Sequence, residues 1–454
     1  MLKAFINIFR IPDLRNRVLF TLAMLIIYRI GFWIPLPGVD QGAIEKYFSN
    51  VGGAAKTVVD YVAIFSGGSL GKSTIFGLGI MPYISAAIIF QLLGSAIPKL
   101  KELQKETGGY QKIQEYTRYA TIGLCLIQGV GWLSFIVKQN LVYAGWRTNP
   151  LFWISAVLAL TAGTVFLMWL GEQIDKHGIG NGVSLIITAG ILARMPGAVL
   201  QVITNFKQGT LNQMSIIFLI LAFFGVVAGA VLITVAQRRI PIQQAKHTRG
   251  RRVYGGGKSY LPLRVNHGGV MPIIFASSLM IFPQMIFSAL ESGYQGEPNL
   301  YYNIIAFISR SLTMGEYPYV LIYILMVYIF SYFWTTVQFN PEDMSDQLRQ
   351  HGSFIPGLRP GPRTAEYLET VLERITYVGA GFLSIIAVIP MVVTKWVGVD
   401  PSISAFLGGT GLLIVVSVGL DLVQRIEANL LMRNYGGFLD TGSRGPGARV
   451  RSGK

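Results

Sequence analysis

Ser66-Gly67-Gly68-Ser69-Leu70-Gly71-Lys72-Ser73 is the stretch of this 454-residue chain nearest to a site for chemistry, one residue away from the glycine-rich loop that cradles nucleotide phosphates. That loop needs glycine where Ser66 stands, a preceding strand and a cytosolic setting, and the sequence offers none of them. The histidines His177, His247, His267 and His351 fall in polar connections or at their edges. Neither a zinc-protease helix motif nor a pair of intramembrane aspartates accompanies them, so protease chemistry finds no residues. The lone cysteine, Cys125, lies in an apolar stretch, where one thiol makes neither a disulfide nor a thiolate metal site within the chain. No catalytic group, metal site or cofactor is expected, and any energy source must come from partners.

The residues that do form a pattern are cationic or apolar. Between Gln237 and His267 stand Arg238, Arg239, Lys246, Arg249, Arg251, Arg252, Lys258 and Arg264, without one Asp or Glu. Arg239-Ile240-Pro241-Ile242 and the turn at Gly255-Gly256-Gly257 suggest an extended, hairpin-like projection. A basic cluster beside a membrane span attracts anionic lipid. On a long projection it also suits a phosphate backbone such as ribosomal RNA. The apolar pattern is a phrase that occurs twice, Gly79-Ile80-Met81-Pro82-Tyr83-Ile84-Ser85-Ala86 and Gly269-Val270-Met271-Pro272-Ile273-Ile274-Phe275-Ala276. Matched Gly/Pro interruptions in two halves of a membrane protein point to a central pathway at a repeat interface.

The elements that must carry these residues are membrane spans. With 52% hydrophobic and 13% charged residues and a mean hydropathy of +0.50, the chain is far more apolar than a soluble domain. Ten stretches could cross the hydrocarbon as helices, near 18–36, 76–97, 117–137, 151–170, 183–203, 215–236, 269–290, 317–338, 372–393 and 404–424. The first is preceded by Lys3, Arg10, Arg15 and Arg17 but lacks a small-residue cleavage site, so it reads as a retained anchor. With the amino terminus inside, 28 of the 38 Lys and Arg residues fall in inside segments and 9 outside, which places both termini in the cytoplasm. Five spans per repeat is an odd number, so the second half enters the membrane inverted. Gly209 marks the linker between an N-terminal half, 1–208, and a C-terminal half, 209–435, with a flexible basic tail at 436–454. Residues 60–75 are too short and Gly-broken to span and too apolar for an exposed loop. They read as a half-helix that enters from outside and stops.

Several motifs now resemble the SecY family of bacterial protein-conducting channel subunits. They are Arg29-x-Gly31 with Ile34-Pro35-Leu36-Pro37-Gly38-Val39-Asp40, Phe65-Ser66-Gly67-Gly68, Gly79 to Ser85, Gly171-Glu172-Gln173-Ile174 and Gly178-Ile179-Gly180-Asn181-Gly182. Gln237-Arg238-Arg239-Ile240, Gly357-Leu358-Arg359-Pro360-Gly361 and Gly408-Gly409-Thr410 follow in order, and the resemblance runs from about residue 10 to 425. It implies an all-α integral membrane protein of ten transmembrane helices in two inverted halves, in the bacterial cytoplasmic (inner) membrane. It would pass unfolded polypeptides across and release hydrophobic segments sideways into lipid.

The resemblance also implies a role for each part. The half-helix at about 61–74 would be a plug, with Tyr61, Ile64, Phe65, Ser66, Gly67, Gly68 and Leu70. The pore waist would be a ring of Ile80, Ile84, Val183, Ile187, Ile274 and Ile414, and the i,i+4 spacing of Ile80/Ile84 and Val183/Ile187 puts each pair on one helix face. A lateral gate would open between the helices that begin at the two repeat copies, with Ser85, Gln91, Gln128 and Asn181 facing Ser278 and Phe282. Arg238, Arg239, Lys246, Arg249, Arg251, Arg252 and Arg359 would dock the ribosome and the SecA motor ATPase, and SecE and SecG would be small membrane partners. Signal peptides, unfolded polypeptides and anionic lipid complete the expected partners. A secondary transporter with inverted five-helix repeats is the alternative, disfavoured because transporters place ionisable groups at mid-membrane whereas these spans hold essentially Arg29 and terminal groups such as Glu172 and Asp421.

Overall fold

The computed structural model describes residues 11–50, 73–397 and 410–440, apart from 107, 148, 210, 245–246, 250–251, 255–256, 294–299 and 314–315. Helices coincide with all ten apolar stretches: α1 Pro12–Gly31, α2 Met81–Ala96, α3 Gly109–Lys138, α4 Pro150–His177, α5 Gly182–Lys207, α6 Gln213–Val235, α7 Met271–Gly293, α8 Tyr317–Gln338, α9 Pro362–Val397 and α10 Thr410–Asp440. Among the described residues, six of them, α3, α4, α5, α6, α8 and α9, are long and apolar enough to cross a membrane by length and composition. Their outward faces carry bare apolar side chains such as Ile127, Leu151, Leu221, Phe224 and Ile385, all at least 60% exposed, a surface that suits lipid and not water.

Boundaries follow local chemistry. Pro12, Pro150 and Pro362 each open a helix, where the missing N–H has no intrahelical partner to lose. α1 stops at Gly31, short of the expected residue 36, in the turn that leads to Pro35 and Pro37. α10 runs through Gly436-Gly437 to Asp440, past the expected start of a flexible tail.

Both repeat copies fold alike. Gly79 and Gly269 have φ of +58° and +59°, a region that glycine enters without the penalty a Cβ imposes. In each, a Met-Pro pair then forms the first turn, and the N–H groups of Ile84 and Ile274 donate to the carbonyls of Ile80 and Val270 at 3.1 and 3.2 Å. The packing repeats too. α1 lies against α4 and α5, α2 against α3, and α3 against α4; likewise α6 lies against α9 and α10, α7 against α8, and α8 against α9. The two sets meet where α5 packs on α10, and side chains at the starts of α2 and α7 share one buried cluster around Ile84 and Ile274.

One end of the bundle carries a small sheet. β1 Gln237–Gln244 pairs antiparallel with β4 Lys258–Arg264, and β5 Ser353–Phe354 adds to the other edge of β1, while β2 His247–Arg249 and β3 Arg252–Tyr254 form a separate two-stranded ladder. The two prolines, Pro241 and Pro262, stand two pairs apart in register, opposite Tyr260 and Arg239. This spacing keeps both at positions where a missing N–H breaks no β1–β4 bond. Ile240 and Leu263 pack with Ile355, Leu368 and Leu372, so the segments before α7 and before α9 form one body.

The turn between α4 and α5 is a tight joint. The Gly182 backbone is so close to Gly171 that an added Cβ would overlap the Gly171 carbonyl oxygen, whereas Gly197 on the same helix has open space around it. Gly182→Ala should therefore lower the stability of the detergent-solubilised protein by about 1–3 kcal/mol. Gly197→Ala should be neutral or slightly stabilising. Thermal unfolding of both variants checks the contrast.

Candidate pore lining and basic face

Each element around the α4–α5 turn is tied by a specific bond. Glu172 receives two bonds from Arg118 of α3, Nε at 2.9 Å and Nη2 at 2.8 Å, a planar fork-to-carboxylate match. Asp175 accepts the Gly182 N–H at 2.7 Å, the Asn181 side chain accepts the Ser184 N–H at 3.0 Å, and the Ile179 N–H donates to Thr21 of α1 at 3.2 Å. The Gly171 to Gly182 motifs thus fix where α5 starts, and with it Val183 and Ile187.

The structure brings the six nominated aliphatic residues together. Ile80, Ile84, Ile187, Ile274 and Ile414 are buried in one cluster, and Val183 packs against it half-buried. They come from both sets of five helices. Each also lies at or near a helix start: Ile80 caps α2 and Ile84 is its fourth residue, Val183 and Ile187 are the second and sixth of α5, Ile274 is the fourth of α7, and Ile414 the fifth of α10. Tyr28, Phe32, Phe76, Leu167, Leu170, Ile174, Leu185, Ile186 and Ile191 complete the cluster, and sequence reasoning nominated none of them. Periodicity could have supplied Ile191, one turn beyond Ile187.

Other nominated residues are less gathered. Tyr61, Ile64, Phe65, Ser66, Gly67, Gly68 and Leu70 lie outside the described residues. The chain after them is anchored: Leu36 N–H donates to Ser73 at 3.0 Å and Ile75 N–H to Ile34 at 3.1 Å. Ser85, Gln91 and Gln128 are half-buried on α2 and α3. Asn181 is exposed and spends its acceptor on the α5 cap, so it is a helix cap before it is interhelical glue. Ser278 and Phe282 lie on α7, with side chains outside the description. A polar contact that was not nominated does join α7 to α8: Ser277 Oγ, buried, stands 3.3 Å from the Tyr323 hydroxyl.

Arg238, Arg239 and Arg359 are exposed on the sheet-bearing body, and Arg249 and Arg252 face each other in the β2–β3 register. Lys246 and Arg251 lie outside the described residues. Arg359 makes no ion pair among the described residues, and its carbonyl is held by Thr364 Oγ1 at 2.9 Å. Between this body and the aliphatic cluster is a cavity of about 190 Å³ whose lining includes Asn181, Ser184, Arg264, Asn266, His267 and Asp421. One ionisable residue escaped the reading of the spans: Arg194, counted with the outer segments, lies inside α5 and is half-buried.

His267 joins β4 to α7. Its Nδ1 lies 2.7 Å from the Arg264 carbonyl oxygen, and its ring meets Phe339 edge-on. Burial lowers its pKa, more than the bond to Arg264 raises it. A group with a depressed folded pKa contributes stability above its unfolded pKa and loses it as pH falls. Acidification from pH 7.5 to 5.5 should destabilise the protein, and His267→Gln should remove part of that dependence; melting curves across this range measure it.

A family model described as SecY matches residues 74–423. The protein translocase subunit SecY of Streptomyces galbus is 42% identical over 452 residues, covering 97% of this chain and all of that one. Among solved structures, one described as the structure of a protein conducting channel superposes with a TM-score of 0.62 at 19% identity, covering 91% of this chain and 92% of the other. Sec61 in the canine ribosome-channel complex from the endoplasmic reticulum gives 0.58 at 18% identity with the same coverage.

Proposed function

This chain belongs to the SecY family, and from that premise we propose that it is the pore subunit of a protein-conducting channel in the bacterial inner membrane. The observation that carries the reading is the aliphatic cluster built from α2, α5, α7 and α10. A passing unfolded chain presents every kind of side chain. A waist with fixed donors or charges would hold some segments and stall them, whereas isoleucine and valine bind none specifically. A narrow apolar constriction also dewets, which opposes leakage.

The repeated packing of α1–α5 and α6–α10 supports two inverted halves, divided near Gly209, with ten spans and both termini in the cytoplasm. The matched starts of α2 and α7 support a lateral gate at that seam for hydrophobic segments. Interhelical polar contacts in membranes are worth only about 0.6–2 kcal/mol each. An inserting signal peptide gains about 0.8 kcal/mol per buried methylene, enough to compete. The plug reading for 61–74 rests on family membership and on the anchored return at Ser73 and Ile75. Family membership disfavours the transporter alternative.

The sheet-bearing body is the cytoplasmic docking face. Its exposed arginines suit ribosomal RNA and carboxylates of the SecA motor, with anionic lipid beneath, and a Sec61 relative in fold is known in a ribosome-channel complex. SecE and SecG are the expected membrane partners.

Two variants test the reading. Ile84→Asn or Ile274→Asn should raise the ion conductance of reconstituted channels, because a polar ring stays wet when closed; folded variants as tight as the parent would refute the ring. Arg359→Glu should leave expression and assembly intact, since the side chain is exposed, yet cut ATP-driven transport of a secreted precursor by about tenfold or more. Undiminished transport would refute docking through this loop.

A further inference from the structure

The short helix Leu300–Ser311, between α7 and α8, is apolar on two opposite faces, and the bundle uses one of them. On the inner face Ile305 and Ala306 are buried, and Ile308 and Leu312 join the core cluster that holds Met280 of α7 and Tyr319 of α8. Leu300, Ile304 and Phe307 recur at i, i+4 and i+7, within about 60° of one another, on the side turned away from Ile305 and Ser309. They are 74%, 51% and 71% exposed. A helix packed on a protein surface in water keeps that outward face polar, whereas here the exposed Asn303 and Arg310 stand only on one flank of the stripe. The position of the helix says what covers it. α7 leaves the sheet-bearing body at His267 and ends at Gly293, so the helix lies at the opposite end of the bundle. At about 18 Å it is too short to cross roughly 30 Å of hydrocarbon. The flanking ends of the spans expose apolar surface as well, through Leu290 on α7 and Tyr317 and Leu321 on α8. Tyrosine and arginine suit the depth of lipid headgroups, and the aliphatic stripe suits the acyl chains just beneath them.

We propose that the helix Leu300–Ser311 docks on lipid: it lies flat in the interface of the outer leaflet, with Leu300, Ile304 and Phe307 among the acyl chains and Arg310 at the headgroup phosphates, and it thereby sets the depth of the outer end of α7. That the leaflet is the outer one and that α7 borders a gate rest on the channel reading above. The inner face of the helix is packed with α7, so the two move as one piece. Apolar surface held in the interface resists being pulled into water or pushed into the hydrocarbon. The outer end of α7 is then free to slide along the membrane plane and held against moving across it.

The test uses the complete channel complex in phosphatidylcholine–phosphatidylglycerol vesicles. Phe307→Cys, Ile304→Cys and Arg310→Cys each carry an environment-sensitive fluorophore, and the parent, whose only cysteine Cys125 is buried, gives the labelling background. Quenchers are nitroxides at carbon 5 or carbon 12 of the acyl chains, and iodide on both sides of the membrane. Labels at positions 304 and 307 should be quenched by the shallow nitroxide roughly two- to threefold more than by the deep one, as a helix about 5–10 Å below the headgroup boundary requires. Iodide should quench the label at position 310 severalfold more than the one at 307. Equal iodide quenching at 307 and 310 would place the stripe in water and overturn the proposal. A label at 307 shielded from both nitroxide and iodide would also overturn it, because protein and not lipid would then cover the stripe. The hold on α7 is read from a label on Leu290→Cys, which should become more open to iodide when Ile304→Asp and Phe307→Asp are combined; an unchanged depth overturns that part. None of these readings needs transport, so a complex that docks on lipid as described yet carries no precursor would overturn the channel reading and leave lipid docking in place.

Discussion

In hydrocarbon every backbone N–H and C=O needs a partner from the protein itself, and this chain supplies partners at the three turns that lead into its central helices. The Gly79 break is closed by turn bonds from Gly77 to Thr74 and from Gly79 to Phe76. At the α4–α5 turn, the Asp175 carboxylate, the Asn181 amide and the Thr21 hydroxyl each take one N–H. At the second repeat copy Met271 bonds to Gly268, and the Asn266 side chain donates to the Gly269 carbonyl at 2.9 Å. These bonds decide where α2, α5 and α7 begin, and hence which side chains meet in the centre.

The two ends of the molecule divide the work by chemistry. The sheet-bearing body is basic outside and aliphatic within, and its core of Ile240, Leu263, Ile355, Leu368 and Leu372 couples two segments remote in sequence. Its link to the bundle is short. Val265 N–H donates to Ala236 at 3.0 Å, and the Val265 backbone presses on α9 at Gly379, where a Cβ would meet its carbonyl at 2.5 Å. His267 then leads directly into Gly269 and α7. A load applied to the body therefore reaches α7 through few flexible bonds.

Much of this was legible in the sequence. The apolar stretches gave ten helices because length and hydropathy are local properties, and the twin phrases gave a true structural repeat because a left-handed glycine followed by Met-Pro is a local helix start. The aliphatic ring was nominated by family resemblance; periodicity alone could not have chosen Ile187 over Leu185 or Ile186, all buried in the same cluster. The capping role of Asn181 was not read from the sequence, because an Asn before a helix reads equally as a cap or as interhelical glue. Arg194 was missed because a count of charges by segment does not ask which helix face a residue occupies. The union of the two basic segments was illegible, since it depends on β1–β5 pairing over more than a hundred residues of intervening chain.

The placement of the ring at helix starts has a mechanical consequence. A side chain on a first turn is held by fewer backbone bonds than one in mid-helix, because the first N–H groups have no intrahelical acceptor. Ile84 and Ile274 sit on such first turns, so α2 and α7 can tilt locally at the cluster while the rest of each helix stays seated. In the proposed pore such a waist would act as an elastic gasket, stretching around a bulky residue and recoiling behind it with most of the membrane-embedded bundle left undisturbed.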